Sequence, residues 1–186
     1  METTHDAPRP HIAPNRTCGT CTVCCKVLEI KAPTLFKPAG VICTNCTGTG
    51  CRIFGTTDRP IQCREFYCLW RQVSTMPDDV RPDRIGVMFT IESADPPQNP
   101  FERRFVIGRS LETLADFEHP GAQAVIRTFI ERGNLPIWLS HNKERRLLHP
   151  SPALRDAILG LTPVLPSLSA DVGLWRQRLG LTVTSP

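Results

Sequence analysis

The stretch that decides the fold begins with CGTCTVCC at residues 18–25, continues with CTNCTGTGC at residues 43–51 and ends with CREFYC at residues 63–68. It holds all nine cysteines of the 186-residue chain and none of its five histidines. Because no signal peptide is visible, we expect a cytoplasmic protein whose thiols stay reduced. Clustered thiols in that compartment are typical of metal binding, and an all-sulfur site favours Zn²⁺, an iron–sulfur cluster or Cu⁺. A disulfide framework is the alternative, and the odd number of cysteines argues against it.

The spacing of the first cysteines indicates more than one metal ion. Cysteines separated by two residues, as in residues 18–24, can turn their sulfurs toward one ion. Cys25 directly follows Cys24, and adjacent side chains on a helix point about 100° apart. We therefore expect these two thiolates to serve different metals, or one of them to bridge two.

The last two cysteines lie on a predicted helix. A short helix is expected over residues 60–72, with Asp58 capping its first turn and Pro60 just inside it. On this helix Cys63 and Cys68 would be about one and a half turns apart. They would reach one metal centre only if the helix ends or loosens near Cys68.

Downstream of the cysteines, short apolar runs between polar loops indicate a small α+β unit. The predicted strands, paired as two antiparallel hairpins, are residues 85–91, 103–109, 136–140 and 145–149. The predicted helices are residues 120–133, residues 152–161 and a last one that starts at Ser169. The expected domains are a flexible tail at residues 1–17, a cysteine-cluster metal-binding module at residues 18–75 and an α+β unit at residues 76–186. The predicted fold class is thus α+β, with a metal-stabilised N-terminal module packed on a small antiparallel sheet with helices.

The composition argues against several other classes of protein. The chain is 40% hydrophobic and 22% charged with a formal net charge of +4, which fits a globular protein rather than a disordered one. No apolar run approaches the ~18 residues that a membrane helix needs, so no membrane association is expected. The basic residues Lys143, Arg145 and Arg146 have no interleaved aromatics, which argues against nucleic-acid binding. No catalytic constellation is recognised.

The order of the cysteine groups is specific. The run CGTCTVCC, followed by C-x-x-C-x4-C-R-I-F-x4-R-P-x-x-C-R-x-F-x-C, resembles the YkgJ-type cysteine-cluster proteins, which are known by a CxxCxxCC signature. The likeness covers Cys18 to Trp70 and implies chelation of zinc or iron rather than a particular reaction. The cysteines that match the family's usual eight are Cys18, Cys21, Cys24, Cys25, Cys43, Cys51, Cys63 and Cys68. Cys46 is then a ninth, and Phe54 stands where members often have tyrosine.

Eight matching ligands divide into two four-thiolate centres, and a ninth would permit a bridged cluster of three zinc ions or a free thiol at Cys46. The first three cysteines also match the start of a bacterial ferredoxin run, but Cys25 replaces the usual three-residue spacer. Zinc, as two or three ions, is therefore favoured over iron or an iron–sulfur cluster. Four cations of the segment could balance the thiolate charge: Lys26, Arg52, Arg59 and Arg64. For Lys26 a solvated surface position is the preferred interpretation.

The leading functional prediction is a metal-chelating protein in which zinc stabilises a structural, regulatory or interaction module. One alternative is an iron–sulfur redox or sensor protein. Another is a metal-dependent enzyme of unknown substrate, which would need an open metal position. Metal ions are the predicted partners, and the sequence does not identify a protein partner.

Overall fold

In the computed structural model, which describes residues 12–132 and 135–181, helices and strands are interspersed along the chain. The helices are α1 (Val23–Val27), α2 (Ile61–Arg64), α3 (Leu69–Gln72), α4 (Pro82–Ile85), α5 (Pro120–Arg132), α6 (Pro152–Leu159) and α7 (Ser169–Arg178). The strands are β1 (Ile30–Ala32), β2 (Leu35–Lys37), β3 (Val87–Glu92), β4 (Phe105–Ser110), β5 (Ile137–His141) and β6 (Glu144–His149). This mixture of helix and sheet confirms the α+β class, and the helices and strands predicted downstream of the cysteines are confirmed as α5–α7 and β3–β6.

Strands β3 to β6 form a four-stranded sheet in chain order, and this sheet is mixed rather than antiparallel. The β3–β4 and β5–β6 pairs are antiparallel, whereas β4 pairs with β5 in parallel, from Val106 opposite Ile137 to Arg109 opposite Ser140. The prediction of an antiparallel sheet is therefore wrong at its centre. The reason is that α5 lies between the two strand pairs, and a crossover of this length returns the chain to the end of the sheet from which β4 began.

The sheet carries a hydrophobic core on each face. Successive side chains of a strand point to opposite faces, so Val106 belongs to one core and Ile107 to the other. On the first face, α5 contributes Ile126. On the second face, α6 and α7 pack against the strands, with Trp138 of β5 and Trp175 of α7 both buried. These two cores hold the α+β unit together.

The cysteine-rich segment, residues 18–75, contacts both faces of β3, which is an edge strand. On one face, Val23 and Val27 of α1 pack against Met88. On the other face, Trp70 of α3 joins the core that contains Phe89. Cys68 contacts both of these groups, so the segment passes around the outer edge of β3. The sheet thus provides the support on which the cysteines are arranged.

The helix predicted over residues 60–72 is broken into α2 and α3. Between them Cys68 has extended backbone, with φ −70° and ψ 162°, and it is the residue that precedes α3. Pro60, not Asp58, precedes α2, and no side chain caps that helix. The helix therefore ends before Cys68, which is the condition under which Cys63 and Cys68 could reach one metal centre.

Part of the predicted tail is packed on the fold. Ala13 is buried, and its backbone N–H donates to the Arg71 carbonyl at 2.9 Å. The Arg16 guanidinium donates to the Trp70, Ser74 and Met76 carbonyls. A flexible tail through residue 17 is therefore wrong for residues 12–17, while residues 1–11 lie outside the described residues.

Acid is expected to weaken the fold through Glu92 at the end of β3. Its two carboxylate oxygens accept from the Arg109 guanidinium at 2.7 and 2.8 Å, and one also accepts from Thr90 at 2.6 Å. Burial opposes ionisation, but these hydrogen bonds outweigh it and hold the pKa of Glu92 below its ordinary value of 4.5. A carboxyl with a lowered folded-state pKa stabilises the fold above its unfolded pKa, and this contribution is lost as the pH falls through the folded value.

Urea unfolding at about pH 7 and about pH 4 checks this expectation. The wild-type free energy of unfolding should fall with acid by more than that of Glu92→Gln, which has no proton to gain at this position. Equal pH dependence in the two proteins would contradict the role given to the Glu92–Arg109 pair.

Candidate metal centre

One cavity of about 560 Å³ lies within the cysteine-rich segment, against Met88 of β3. Eight of the nine cysteines line it: Cys18, Cys21, Cys24, Cys25, Cys43, Cys51, Cys63 and Cys68. These are the same eight that match the YkgJ-type pattern. Cys46 is not among the lining residues, although it lies close enough to Cys25 to lower the pKa of that thiol.

Helix α1 directs two adjacent cysteines to different neighbours. Val23 and Val27 bury one side of this helix against Met88, which sets its orientation. Cys24 lies near Cys18 and Cys21, whereas the backbone N–H of Cys43 donates to the carbonyl of Cys25 at 2.9 Å. The two residues therefore have different neighbours, and their binding to different metals stays a prediction.

The first set of neighbouring thiols contains Cys18, Cys21, Cys24 and Cys68. Burial, with smaller contributions from the Asp83 carboxylate and the Cys68 thiol, raises the pKa of Cys21 to about 11. Burial also raises the pKa of Cys68, and the charge of Cys18 adds to this. These effects show that the charges of the four thiols act on one another.

The second set contains Cys25, Cys43, Cys51 and Cys63. Burial raises the pKa of Cys63, and the negative charges of Cys43, Cys25 and Cys51 raise this pKa as well. The nearby Arg59 guanidinium lowers it. The backbone N–H of Asn45 also points at the Cys43 sulfur, with a nitrogen–sulfur distance of 3.4 Å. Three thiols from two other parts of the segment thus influence the charge of Cys63.

The two sets are joined by the contact between Cys24 and Cys25. The interaction between the Cys24 and Cys25 thiols raises the pKa of Cys24, as does burial. The same interaction lowers the pKa of Cys25 to about 6 against the effect of burial, with help from Cys46, Lys37 and Arg59. Lys37 and Arg59 thus favour negative charge on Cys25.

Lys37 on β2 is a functional candidate that the sequence reasoning missed. Its side chain is only 3% exposed, and its ammonium group donates to the carbonyls of Lys26, Pro38 and Val41 at 2.9, 3.0 and 2.8 Å. Burial lowers the pKa of Lys37, while the charges of the cysteines around it, Cys43 first, raise it. The only sequence signal was strand alternation, which places Lys37 on the same side as Leu35 and leaves Phe36 outside.

The cations predicted to support the thiolates differ in where they lie. Arg59 lines the cavity, whereas Arg52 and Arg64 are exposed. The Lys26 ammonium group pairs with the carboxylate of the exposed Glu112 at 2.6 Å, which agrees with the surface position expected for Lys26. Arg71, which no sequence argument singled out, also lines the cavity.

The fit of these residues to a metal rests on donor chemistry. Among residues 12–132 and 135–181, no three His, Cys, Asp or Glu side chains are arranged so that they could hold one metal ion. The thiols would therefore have to close inward to bind. Buried guanidinium nitrogens on the cavity wall, Nε of Arg59 and both Nε and Nη1 of Arg71, have no hydrogen-bond partner in the described structure. Unpartnered buried donors are costly, and metal-bound thiolates are acceptors that would satisfy them.

In the described part of the chain no helix is both long enough and apolar enough to cross a membrane. Comparison with known proteins finds no matching protein-family model, no matching curated protein and no matching solved structure. The likeness to YkgJ-type proteins therefore rests on the cysteine spacing alone.

Proposed function

We propose that this protein chelates Zn²⁺ through two four-thiolate centres. The first would use Cys18, Cys21, Cys24 and Cys68, and the second Cys25, Cys43, Cys51 and Cys63. The observation that carries the proposal is that eight thiols line one cavity and fall into two sets of four neighbours. Four thiolates at one ion make a closed site without a position for substrate, so the zinc role is structural rather than catalytic.

Nearby cations would offset the charge of these centres. Four thiolates on one Zn²⁺ leave a net charge of about −2. Lys37 and Arg59 lie beside the second set, and both already support negative charge on Cys25. Arg71 is the third residue of α3 and lies three positions after Cys68. Its unpartnered N–H groups are available on the cavity wall. Such donors favour the charged form of the thiolates and so offset the cost of removing their charge from water.

The zinc ions would hold the cysteine-rich segment in its fold and so present its outer surface to a regulatory or interaction partner. The segment's own helices have only four or five residues each, too short to be stable by themselves. Its apolar burial depends largely on contact with β3. Metal binding would therefore supply folding free energy directly, as in other small zinc domains.

An iron–sulfur cluster is the second candidate, and the size of the cavity favours it. A volume of about 560 Å³ is more than two bare ions need. Either set of four cysteines has the composition that a [4Fe–4S] cluster uses, and buried N–H donors are among the groups that set the potential of such clusters. This alternative makes the protein a redox or sensor protein.

Elemental analysis and a visible spectrum decide between these functions. The full chain should be purified without oxygen and without a metal-affinity tag. About two zinc ions per chain and no colour are expected. About three zinc ions would mean a bridged cluster that includes Cys46, and a brown protein with about four irons and matching sulfide would establish the iron–sulfur alternative. A protein with little metal and mapped disulfides would contradict chelation.

Single serine substitutions test the division into two centres. Cys24→Ser and Cys63→Ser should each lower the zinc content from about two ions to about one, because a hydroxyl is a poor zinc ligand. Cys46→Ser is the matched control and should keep both ions. Metal analysis of the three purified proteins checks this result. Loss of all zinc from either of the first two variants would show that the eight thiols act as one cluster.

A further inference from the structure

Cys46 and Cys51 stand opposite each other in a small hairpin. The backbone N–H of Thr47 donates to the Gly50 carbonyl at 3.0 Å, and that of Arg52 donates to the Asn45 carbonyl at 2.8 Å. The two cysteines lie between these bonds as an isolated antiparallel pair. They are therefore a non-hydrogen-bonded pair, in which the Cα atoms are about 4.5 Å apart and the side chains are on the same side. Disulfides form at Cα separations of about 4.4–6.8 Å, so this pair has suitable backbone geometry.

The same hairpin is accessible and can adjust. Its tip, residues 47–49, is exposed, and both cysteines are partly exposed. Gly48 has φ +84°, and no atom outside its chain neighbours lies within 4 Å of the place where a Cβ would be. An oxidant can therefore reach the two sulfurs, and the tip meets no packed neighbour as they approach.

The two cysteines differ in their relation to the cavity. Cys51 lines it, beside the second set of thiols, whereas Cys46 does not. Around the proposed second centre there are thus five thiols for four positions. Cys46 is not needed as a ligand but lies opposite the proposed ligand Cys51. It is therefore positioned to form a bond with Cys51 and so to remove Cys51 from the centre.

We propose that Cys46 and Cys51 form a reversible disulfide when the protein meets a hydroperoxide, and that this bond removes Cys51 from the second centre. One thiol takes an oxygen atom from hydrogen peroxide, which leaves as water, and becomes a sulfenic acid. The second thiol then displaces the hydroxyl as a second water, and the sulfur–sulfur bond forms. The pair loses two electrons and two hydrogens, and the peroxide is reduced to two waters. A small dithiol reverses the step by exchange.

Only the metal-release part of this inference depends on the proposed function. With Cys51 oxidised, the second centre keeps three thiolates and should lose its zinc. The first centre has no ligand in the hairpin and should keep its own. The disulfide itself follows from the hairpin geometry and is expected in metal-free protein as well.

Peptide mapping after mild peroxide treatment tests the disulfide. Metal-free and metal-loaded full-length protein should be treated with one equivalent of hydrogen peroxide, alkylated and digested with trypsin. Cys46 and Cys51 fall in the peptide of residues 32–52, since the Lys37–Pro38 bond resists trypsin, whereas Cys25 falls in residues 17–26. The expected product is the peptide of residues 32–52 with an internal disulfide and an alkylation tag on Cys43. A cross-link between the two peptides, or tags retained on Cys46 and Cys51, would overturn the proposal.

Metal release is measured on the same metal-loaded samples with a colorimetric zinc indicator. Wild-type protein should release about half of its zinc as the disulfide forms, and Cys46→Ser should release it at least ~10-fold more slowly. Equal release from both proteins would overturn the switching role, even where the disulfide is found. A purified protein that holds no metal would refute the proposed chelation, while the mapping of the metal-free sample would still decide the disulfide.

Discussion

Treatment of the metal-loaded protein with a strong chelator is expected to unfold residues 18–66 while the four-stranded sheet stays folded. Structural zinc in small domains contributes on the order of 10 kcal/mol per ion to folding, so loss of two ions exceeds what the segment's own contacts can replace. Its buried apolar residues before α3 are few, chiefly Val23, Val27 and Ile30. The sheet, by contrast, has a separate core on each face.

Hydrogen exchange followed by mass spectrometry measures this difference. Peptides from residues 18–66 should lose protection by about 1,000-fold or more after chelation, while peptides from β4 and β5 should change little. Cys46→Ser serves as a control for nonspecific effects of altering the cysteines, and it should respond as the wild type does. Unfolding of the whole chain together, or no change in residues 18–66, would show that metal does not hold this segment separately.

Lys37→Met is expected to lower the stability of the cysteine-rich segment substantially. The ammonium group satisfies three carbonyl oxygens and is almost fully buried. Methionine has a similar length but no donor, so these oxygens lose their partner, at a cost of about 3 kcal/mol. It also removes a positive charge close to Cys25 and Cys43, and the affinity of the second centre for zinc should fall about 10-fold or more.

Lys26→Met is the matched control, because it makes the same chemical change in the same segment. Lys26 pairs with an exposed carboxylate, so the loss should be below about 1 kcal/mol. Denaturant unfolding gives the stability of both variants, and competition with a chromophoric chelator gives their zinc affinity. If the two variants behave alike, the buried ammonium group has no special part in supporting the thiolates.

Local sequence patterns predicted most of the regular structure outside the cysteines. Apolar, β-branched runs at 85–91 and 103–109 and helical periodicity at 120–133 require only short stretches of chain to be recognised. These correspond to β3, β4 and α5 in the structure. The spacing of Cys24 and Cys25 predicts two directions for the adjacent thiols from helix geometry, whereas in the structure the two side chains also interact with each other.

Other features depended on contacts between distant residues. The parallel pairing of β4 with β5 is set by the path of α5, which strand patterns do not record. The break between α2 and α3 places Trp70 in the core and Cys68 at the edge of β3, so tertiary packing decided it. Lys37 could not be distinguished from a surface lysine without its three carbonyl partners.

The sequence by itself determined the kind of chemistry available, since thiols at these spacings favour soft metals wherever they are placed. Only the tertiary structure decided which thiols are neighbours, that Cys46 lies outside the cavity lining, and which cations face the sulfurs. The physical reason is that ligand type is a local property of each residue. Proximity between Cys18 and Cys68, or between Cys25 and Cys63, arises only when the chain passes around the edge of β3 and its apolar side chains are buried on both faces.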